Sequence, residues 1–186
     1  MKWCGISYFL LHQFRIYDII SAVMGKQTSK PRLQIIRGLP GSGKTTLALQ
    51  RYPHLMRIET DMFFSRQGKY IFTNKLNEEA VLWFEDMVFN CAYAKMDFVV
   101  TGVFAANTER FDRVIRTARD FGYEIHVKTL ANDYGNIHNV PKKTLDSMRA
   151  AFVNDIELAK RYSRYKNVHF NSLMEGIKGN KPFIGI

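Results

Sequence analysis

The sequence predicts an α/β domain in which a parallel sheet is flanked by helices. Two observations support this fold class: five short apolar runs alternate with helical patterns, and a glycine-rich segment joins the first run to the first helix. Strands that alternate with helices favour a parallel sheet built from crossover connections. The chain has 186 residues, a length at which we expect one domain with its own hydrophobic core rather than two domains.

The predicted strands are short apolar runs bounded by turn residues, at 33–36, 56–60, 97–101, 123–130 and 167–170. Between the second and third runs lies a helical pattern, 77–96, in which apolar residues recur at three- and four-residue steps. Its core stripe is predicted to be Ala80, Val81, Phe84, Met87, Val88 and Cys91. The segment 107–122 has the same period, with Phe111, Val114, Ile115 and Ala118 inward. Gly122 is expected to end that helix.

The glycine-rich segment GLPGSGKT, residues 38–45, matches the phosphate-binding pattern G-x-x-x-x-G-K-[ST] and lies between a predicted strand and a predicted helix. This is the loop of the P-loop NTPase fold, whose backbone N–H groups surround a phosphate. Lys44 is expected to bridge the β- and γ-phosphates, and the Thr45 hydroxyl to ligate Mg²⁺. ATP and Mg²⁺ are therefore the predicted cofactors. The predicted nucleotide-binding residues are Gly38, Leu39, Pro40, Gly41, Ser42, Gly43, Lys44, Thr45 and Thr46.

The acidic residues near the predicted strand ends separate the possible activities. ATPases and GTPases need an apolar strand that ends in Asp, but the third strand here ends in Thr101, which disfavours motors and switches. Asp61 follows the second strand, where a kinase of this fold can place a base for the acceptor hydroxyl. A plain helix cap is the alternative role for Asp61. The sequence therefore favours a phosphotransferase with Asp61 as general base.

Three segments, 37–48, 59–84 and 136–152, together resemble the polynucleotide-kinase-like branch of small P-loop kinases, which is common in bacteriophages. The selective features are Asp61 with the aromatic pair after it, the G-x-Y-x-F segment 68–72 and the N-x-H-x-V-P segment 136–141. The resemblance implies a strand order 2-3-1-4-5, a small helical lid near the late motif, and transfer of the ATP γ-phosphate to a hydroxyl. It also implies that Lys44 and Thr45 take the phosphate and metal roles and Asp61 that of general base.

The sequence departs from this family at two sites. Gly135 and Asn139 replace the arginine and the glycine of the late R-N-x-H-G-V-P motif, so the lid cation must come from elsewhere. Among Lys142, Lys143 and Arg149 we prefer Arg149 as a catalytic residue, because a planar guanidinium suits a phosphoryl group; a solvated helix face is the alternative. Phe64 replaces an arginine that contacts nucleic acid in the best-studied polynucleotide kinases, which weakens the case for 5′-hydroxyl specificity.

Charge favours a polyanionic partner. The chain has 27 Lys+Arg against 17 Asp+Glu, a net charge of +10, and such a field attracts nucleic acid. Arginines recur every third residue along one predicted helix, at Arg110, Arg113, Arg116 and Arg119, and we expect them to form a curved basic band. The segment 160–166 mixes Lys160, Arg161, Arg164 and Lys166 with Tyr162 and Tyr165, a composition that can pair phosphates and stack bases. We also expect the acceptor side to include Arg66, Lys69, Tyr70 and Phe72.

These patterns predict an ATP-dependent kinase of a nucleic-acid hydroxyl, most simply the 5′-hydroxyl end. Two alternatives remain. One keeps the chemistry but takes a hydroxymethylated base in phage DNA or a small-molecule hydroxyl as acceptor. The other is an ATP-binding module without a transfer step. The sequence does not fix the oligomeric state or the choice between DNA and RNA.

The first residues are expected to lie outside the core, with an extension at 1–31 and the kinase domain at 32–186. Residues 1–23 are apolar and aromatic, but His12, Gln13, Arg15 and Asp18 interrupt them, so neither a signal peptide nor a membrane span is expected. They are either an amphipathic appendage that docks on the domain or an extension upstream of a natural start at Met24. The two cysteines form no disulfide or metal framework, and a cytoplasmic location, that of the host if the protein is phage-encoded, is expected.

Overall fold

The computed structural model describes residues 29–66, 69–70, 73–104, 108–135 and 140–171. In the described residues, five parallel strands form the main sheet and two short antiparallel strands form a hairpin. The strands are β1 (Arg32–Gly38), β2 (Met56–Ile58), β3 (Ser65–Arg66), β4 (Lys69–Tyr70), β5 (Phe98–Gly102), β6 (Glu124–Leu130) and β7 (Val168–Phe170). The α-helices are α1 (Lys44–Arg51), α2 (Asn77–Tyr93), α3 (Thr108–Asp120), α4 (Lys142–Ala150) and α5 (Asp155–Tyr162), with 3₁₀ helices at Thr60–Phe64 and Asn74–Leu76.

The main sheet has the order β2-β5-β1-β6-β7. Counted without the hairpin strands, this is the expected order 2-3-1-4-5, so the predicted fold is confirmed. The central strand β1 pairs with β5 on one side and β6 on the other, and all pairings in this sheet are parallel. The carboxyl ends of these strands therefore share one edge, which is where ligands bind in open α/β sheets.

The two faces of the sheet bury separate clusters because side chains alternate along β1. Leu33 and Ile35 face a large cluster formed with α2, α3 and α5, whereas Ile36 faces a small cluster with Ala48 of α1 and Val99 of β5. Helices thus cover both faces, as expected for a parallel sheet.

The apolar stripes of the two long helices lie where their periodicity predicted. On α2 the stripe includes fully buried Ala80, Phe84, Val88 and Cys91, while Val81 and Met87 are only partly covered. All four predicted inward residues of α3 are buried. Gly122 follows α3 with φ of 79°, and its N–H donates to the Arg119 carbonyl at 2.8 Å. The Tyr123 N–H donates to the Ala118 carbonyl at 3.0 Å, so the helix ends in a Schellman motif.

The second strand is shorter than its sequence run predicted. It ends at Ile58, Glu59 remains extended, and the chain then turns into the 3₁₀ helix Thr60–Phe64. Asp61 is therefore part of a helical turn beyond the strand. Phe64 at the end of this turn is 3% exposed and makes an edge contact with Phe63, so its side chain belongs to the core.

A buried arginine ties β1 to the segment between α4 and α5. Arg37 is fully buried, donates to the Val153 carbonyl at 2.6 Å, and lies 3.5 Å from the Asp155 carboxylate. Its guanidinium also stacks on the Phe152 ring at 4.2 Å. The α4 helix has no buried residue, whereas α5 buries Leu158 and Tyr162. The contacts of Arg37 thus anchor the chain directly after α4, the helix of the expected lid.

Several expectations lie outside the described residues: those on 1–28, on Gly68 and Phe72, and on 136–139 of the late motif. Within the described ranges, no helix combines the length and apolar character needed to cross a membrane.

Candidate nucleotide-binding site

The glycine-rich loop joins β1 to α1 at the carboxyl edge of the sheet. Gly41 and Gly43 have φ of 80° and 84°, a region that L-residues with a Cβ rarely adopt. A Cβ on Gly38 would lie 2.5 Å from the hydroxyl oxygen of Ser42, a side chain that is fully buried beneath the loop. The first turn of α1 has neither a side-chain cap nor an acidic residue. Its N–H groups and partial positive charge are thus available to an anion.

Lys44 is held against the loop. Its Nζ donates to the Leu39 carbonyl at 2.8 Å and lies 3.5 Å from the Ser42 hydroxyl. Burial lowers the pKa of Lys44 to about 8, and the negative charge of Asp61 opposes this shift. Desolvation makes the ammonium costly without an anion, so a phosphate that replaced the carbonyl contact would gain from pairing with it.

Glu59 connects the P-loop helix to the end of β5. Its Oε2 accepts a hydrogen bond from the Thr45 hydroxyl at 3.0 Å and a second from the Thr101 hydroxyl. Arg57, two residues earlier, forms an ion pair with Oε1. The Thr45 hydroxyl and the Glu59 carboxylate are hard oxygen donors at the mouth of the phosphate loop, the donor type that Mg²⁺ requires. In the described residues no group of three His, Cys, Asp or Glu side chains could hold a metal, but Mg²⁺ bound with phosphates and water needs few protein ligands.

Asp61 lies one residue beyond the start of the 3₁₀ helix and is exposed. The negative charge of Asp61 raises the pKa of Lys44, against the larger effect of burial. Because Asp61 follows β2, it lies at the carboxyl edge of the sheet, where the glycine-rich loop also lies. A base for an incoming hydroxyl needs access of this kind, and that role for Asp61 stays a prediction.

Residues 132–135, here called the cover segment, lie against the P-loop. The Tyr134 N–H donates to the Gly41 carbonyl at 2.9 Å, and a Cβ on Gly41 would lie 2.2 Å from the Gly135 carbonyl oxygen. A Cβ on Gly43 would lie 3.1 Å from the Tyr134 ring. Gly135 itself has φ of 92°, a backbone conformation that disfavours any residue with a Cβ, so an arginine would be strained at this position.

The expected lid cations lie on α4. Arg149 is well exposed and its guanidinium lies 3.8 Å from the carboxylate of Asp146 on the same helix. Lys142 and Lys143 are exposed at the start of α4. The structure thus pairs Arg149 with its own helix rather than with the P-loop, and its catalytic role stays a prediction.

The arginines of α3 do not form one continuous band. Three residues advance a helix by about 300°, so each arginine is displaced by about 60° from the last and the first and fourth lie on opposite sides. Arg113 donates to Glu85 at 2.8 Å and to Glu109 at 2.7 Å, so its charge is neutralised by two carboxylates. Arg116 is exposed.

The tyrosines of 160–166 are mostly committed to packing. Tyr162 is 5% exposed and packs edge-on against Phe111 and face-on against Phe170. The guanidinium groups of Arg119 and Arg164 lie 4.3 Å and 4.8 Å from the centre of the Tyr165 ring. The expectation that Tyr162 stacks on bases is therefore wrong, because the core needs its ring.

Two features of this site were not identified from the sequence: Glu59 and the cover segment. A signal for Glu59 was present, since E-T-D at 59–61 places two carboxylates two residues apart directly after a strand. The contact of the cover segment with Gly41 joins residues far apart in the chain and leaves no local pattern.

The sheet order, with a phosphate loop after the central strand, defines a P-loop α/β protein with the fold of P-loop kinases. Solved structures agree. The chain is similar to a chain of the AvrRxo1-ORF1:AvrRxo1-ORF2 complex with sulphate ions, at TM-score 0.56 and 17% identity over 88% of this chain and 60% of that one. For the same complex with ATP the TM-score is 0.53 at 18% identity, over 85% of this chain and 58% of that one. This chain thus spans about three fifths of those chains. At such identities the similarity shows the fold alone.

Sequence comparison finds the uncharacterized protein PM0531 of Pasteurella multocida (strain Pm70), 25% identical over 131 residues, which cover 62% of this chain and 73% of the relative. The structure of a Pnkp1/Rnl/Hen1 complex is similar at TM-score 0.45 and 20% identity, over 66% of this chain and 40% of that one, a level that carries no argument. The chain matches no protein-family model. The resemblance to polynucleotide-kinase-like proteins therefore stays a prediction.

Proposed function

We propose that this protein is an ATP-dependent kinase that transfers the γ-phosphate of ATP to a hydroxyl group of a nucleic acid. The observation that carries this proposal is the position of Asp61: its carboxylate is exposed and follows the carboxyl end of β2, at the sheet edge where the glycine-rich loop follows β1. Phosphoryl transfer needs a site for the phosphate donor and an acceptor for the hydroxyl proton, and this edge offers a candidate for each. An ATP-binding module without transfer would need only the first of these.

In the proposed reaction the acceptor oxygen attacks the γ-phosphorus in line with the bond to the β,γ-bridging oxygen. Asp61 takes the hydroxyl proton as the new P–O bond forms, and ADP leaves with the electron pair of the bond that breaks. The loop N–H groups, the N-terminus of α1 and Lys44 stabilise the charge on the phosphate oxygens. The products are a phosphate monoester, ADP and the proton released from Asp61.

Mg²⁺ bound with ATP would supply positive charge to the phosphates. Thr45 is the residue proposed to hold it, because its hydroxyl lies in the first turn of α1, directly after the phosphate lysine. The backbone N–H groups of the loop bind anions and cannot ligate a cation. The chain thus separates the groups that bind phosphate from those that bind the metal.

A nucleic-acid acceptor is supported by the net charge of +10 and by cations that are exposed: Arg116, Lys160, Arg164 and Lys166. Phe64 favours a second candidate. The position at which polynucleotide kinases contact nucleic acid through an arginine holds an uncharged phenylalanine here, and its ring is buried. A hydroxyl without a neighbouring phosphate, on a small molecule or a hydroxymethylated base, is therefore the alternative acceptor.

Phosphoryl transfer can be tested with ATP labelled at the γ-phosphate. The acceptors are 5′-hydroxyl DNA and RNA oligonucleotides, duplex DNA with hydroxymethylated bases, and a panel of small alcohols. We expect label on oligonucleotide ends, lost in Lys44→Ala and in Asp61→Asn. Asp86→Asn, which removes an exposed carboxylate of α2, is the matched control and should retain the activity.

Each outcome selects one function. Label found only on modified bases or small alcohols would refute the nucleic-acid end as the acceptor and support the alternative acceptor. Release of free phosphate alone, equal in the unmodified protein and Asp61→Asn, would refute the kinase proposal. Binding of ATP without any transfer would support the non-catalytic module.

A further inference from the structure

Glu59 lies at the junction of three elements, directly after β2 and beside both the first turn of α1 and the end of β5. Two hydroxyl groups from different elements, those of Thr45 and Thr101, donate to the same carboxylate oxygen, Oε2. We propose that Glu59 is the acidic residue of the magnesium site, the partner that Thr45 needs to bind Mg²⁺ together with ATP. This role rests on the proposed ATP site but is independent of the acceptor.

The hydrogen bond from Thr45 prepares its oxygen for a cation. A threonine hydroxyl has one proton and two lone pairs. Because the proton points to Glu59, the lone pairs are free to face a metal ion. Mg²⁺ keeps several waters when it binds with phosphates, and those waters are donors that a carboxylate beside Thr45 can accept. Glu59 thus orients the Thr45 hydroxyl and would accept hydrogen bonds from water on the bound metal.

Strand register explains how Glu59 can replace the acid that β5 lacks. In the pairing of β2 with β5, Ile58 lies opposite Val100. The next residues are Glu59 and Thr101, so the carboxylate is at the level of the β5 terminus, one strand farther from β1. The longer glutamate side chain spans that distance, as its hydrogen bonds to Thr101 and Thr45 show. Glu59, which follows the neighbouring strand β2, thus takes the place of an acid at the end of β5, and the hydrogen bond from Thr101 fixes the position of its carboxylate.

A purely structural role would assign Glu59 to Arg57. The two side chains form an ion pair, and burial lowers the pKa of Arg57, so Glu59 could serve to neutralise a desolvated cation. That role does not require two threonine hydroxyls on the opposite carboxylate oxygen. Metal affinity separates the two roles, because only the metal role predicts that removal of the Glu59 charge weakens cation binding.

The experiment measures Mn²⁺ binding by electron paramagnetic resonance in the presence of a non-transferable ATP analogue. Glu59→Gln keeps the size of the side chain and removes its charge. We expect Mn²⁺ affinity of the nucleotide complex to fall about 10- to 100-fold, as for other residues that support a metal ligand. Affinity for the analogue in EDTA should not fall, since no metal is bound. Asp61→Asn removes one negative charge in the same site and is the control for general electrostatics; it should have a smaller effect on Mn²⁺.

A double variant guards against an effect that arises only from the loss of the ion pair. Arg57→Gln with Glu59→Gln removes both charges and leaves no unpaired cation. We expect the double variant to bind Mn²⁺ as weakly as Glu59→Gln alone. Recovery of Mn²⁺ affinity in the double variant would overturn the metal role and assign Glu59 to Arg57. A loss no larger than that of Asp61→Asn would overturn it as well.

This experiment is separable from the test of the kinase activity. If the unmodified protein binds Mn²⁺ with the analogue and Glu59→Gln does not, the metal role stands even where no acceptor is phosphorylated; only the transfer step is then refuted. If the unmodified protein shows no nucleotide-dependent Mn²⁺ binding, both the ATP site and the role of Glu59 are refuted.

Discussion

Replacing Gly41 with alanine should detach the cover segment from the P-loop. The new Cβ would lie 2.2 Å from the Gly135 carbonyl oxygen and 2.9 Å from the carbonyl carbon, distances at which the backbone of one segment must move. Alanine at the positive φ of Gly41 costs about 1–2 kcal/mol, and loss of the hydrogen bond from Tyr134 to Gly41 costs about 1 kcal/mol. We therefore expect the free energy of unfolding to fall by about 2–3 kcal/mol.

Gly122→Ala is the matched control. Gly122 has φ of 79°, almost the value of Gly41, but a Cβ there would meet nothing within 4 Å. The free energy of unfolding of Gly122→Ala should fall only by the cost of alanine at a positive φ, about 1–2 kcal/mol. Urea unfolding without nucleotide measures both variants. Equal losses in Gly41→Ala and Gly122→Ala would mean that the contact between the P-loop and the cover segment is absent in solution.

Three further results are expected. Burial lowers the pKa of Lys44 to about 8, against the opposing effect of the Asp61 charge, whereas an ordinary lysine stays charged to about pH 10. ATP binding in EDTA should therefore weaken as pH rises through about 8 and should be accompanied by proton uptake at that pH. Calorimetry in two buffers measures the proton uptake, and an ATP affinity independent of pH would contradict the prediction. Asp155→Ala removes the carboxylate that faces the buried charge of Arg37 and should lower the free energy of unfolding by about 3 kcal/mol. The exposed Asp146→Ala should lower it by about 0.5 kcal/mol or less. Equal losses in the two variants would show that the pair of Arg37 and Asp155 does not stabilise the fold. Burial raises the pKa of Cys91 to about 11, so in a Cys4→Ser background its thiol should react with iodoacetamide at pH 8 only after unfolding, and rapid labelling of the native protein would refute this.

The local features of the chain were predictable because local physics determines them. The period of Phe111, Val114 and Ile115 identifies the inward face of α3, and Gly122 marks its end, since few other residues accept a positive φ. The glycines of 38–43 likewise identify the phosphate loop, because only a backbone without Cβ atoms can approach an anion so closely.

The environment of a side chain was not predictable where tertiary neighbours determine it. The three-residue spacing of the α3 arginines suggested a basic band, but Glu85 of α2 pairs with Arg113, and that contact depends on how two helices pack. Tyr162 has the composition of a base-stacking residue, but the core holds its ring because Phe111 and Phe170 are adjacent in the fold.

The sequence by itself determined the P-loop α/β fold and, through its resemblance, the strand order, whereas the role of Asp61 as general base stays a prediction. Only the tertiary structure brought the hydroxyls of Thr45 and Thr101 to the carboxylate of Glu59, since the three residues lie in α1, in β5 and directly after β2. The absence of an acid at the end of β5 was visible in the sequence, whereas the hydrogen bond from Thr101 to Glu59, which follows the neighbouring strand β2, was not. Strand register decides which side chains meet at the edge of a sheet, and register is a property of the paired strands rather than of either strand alone.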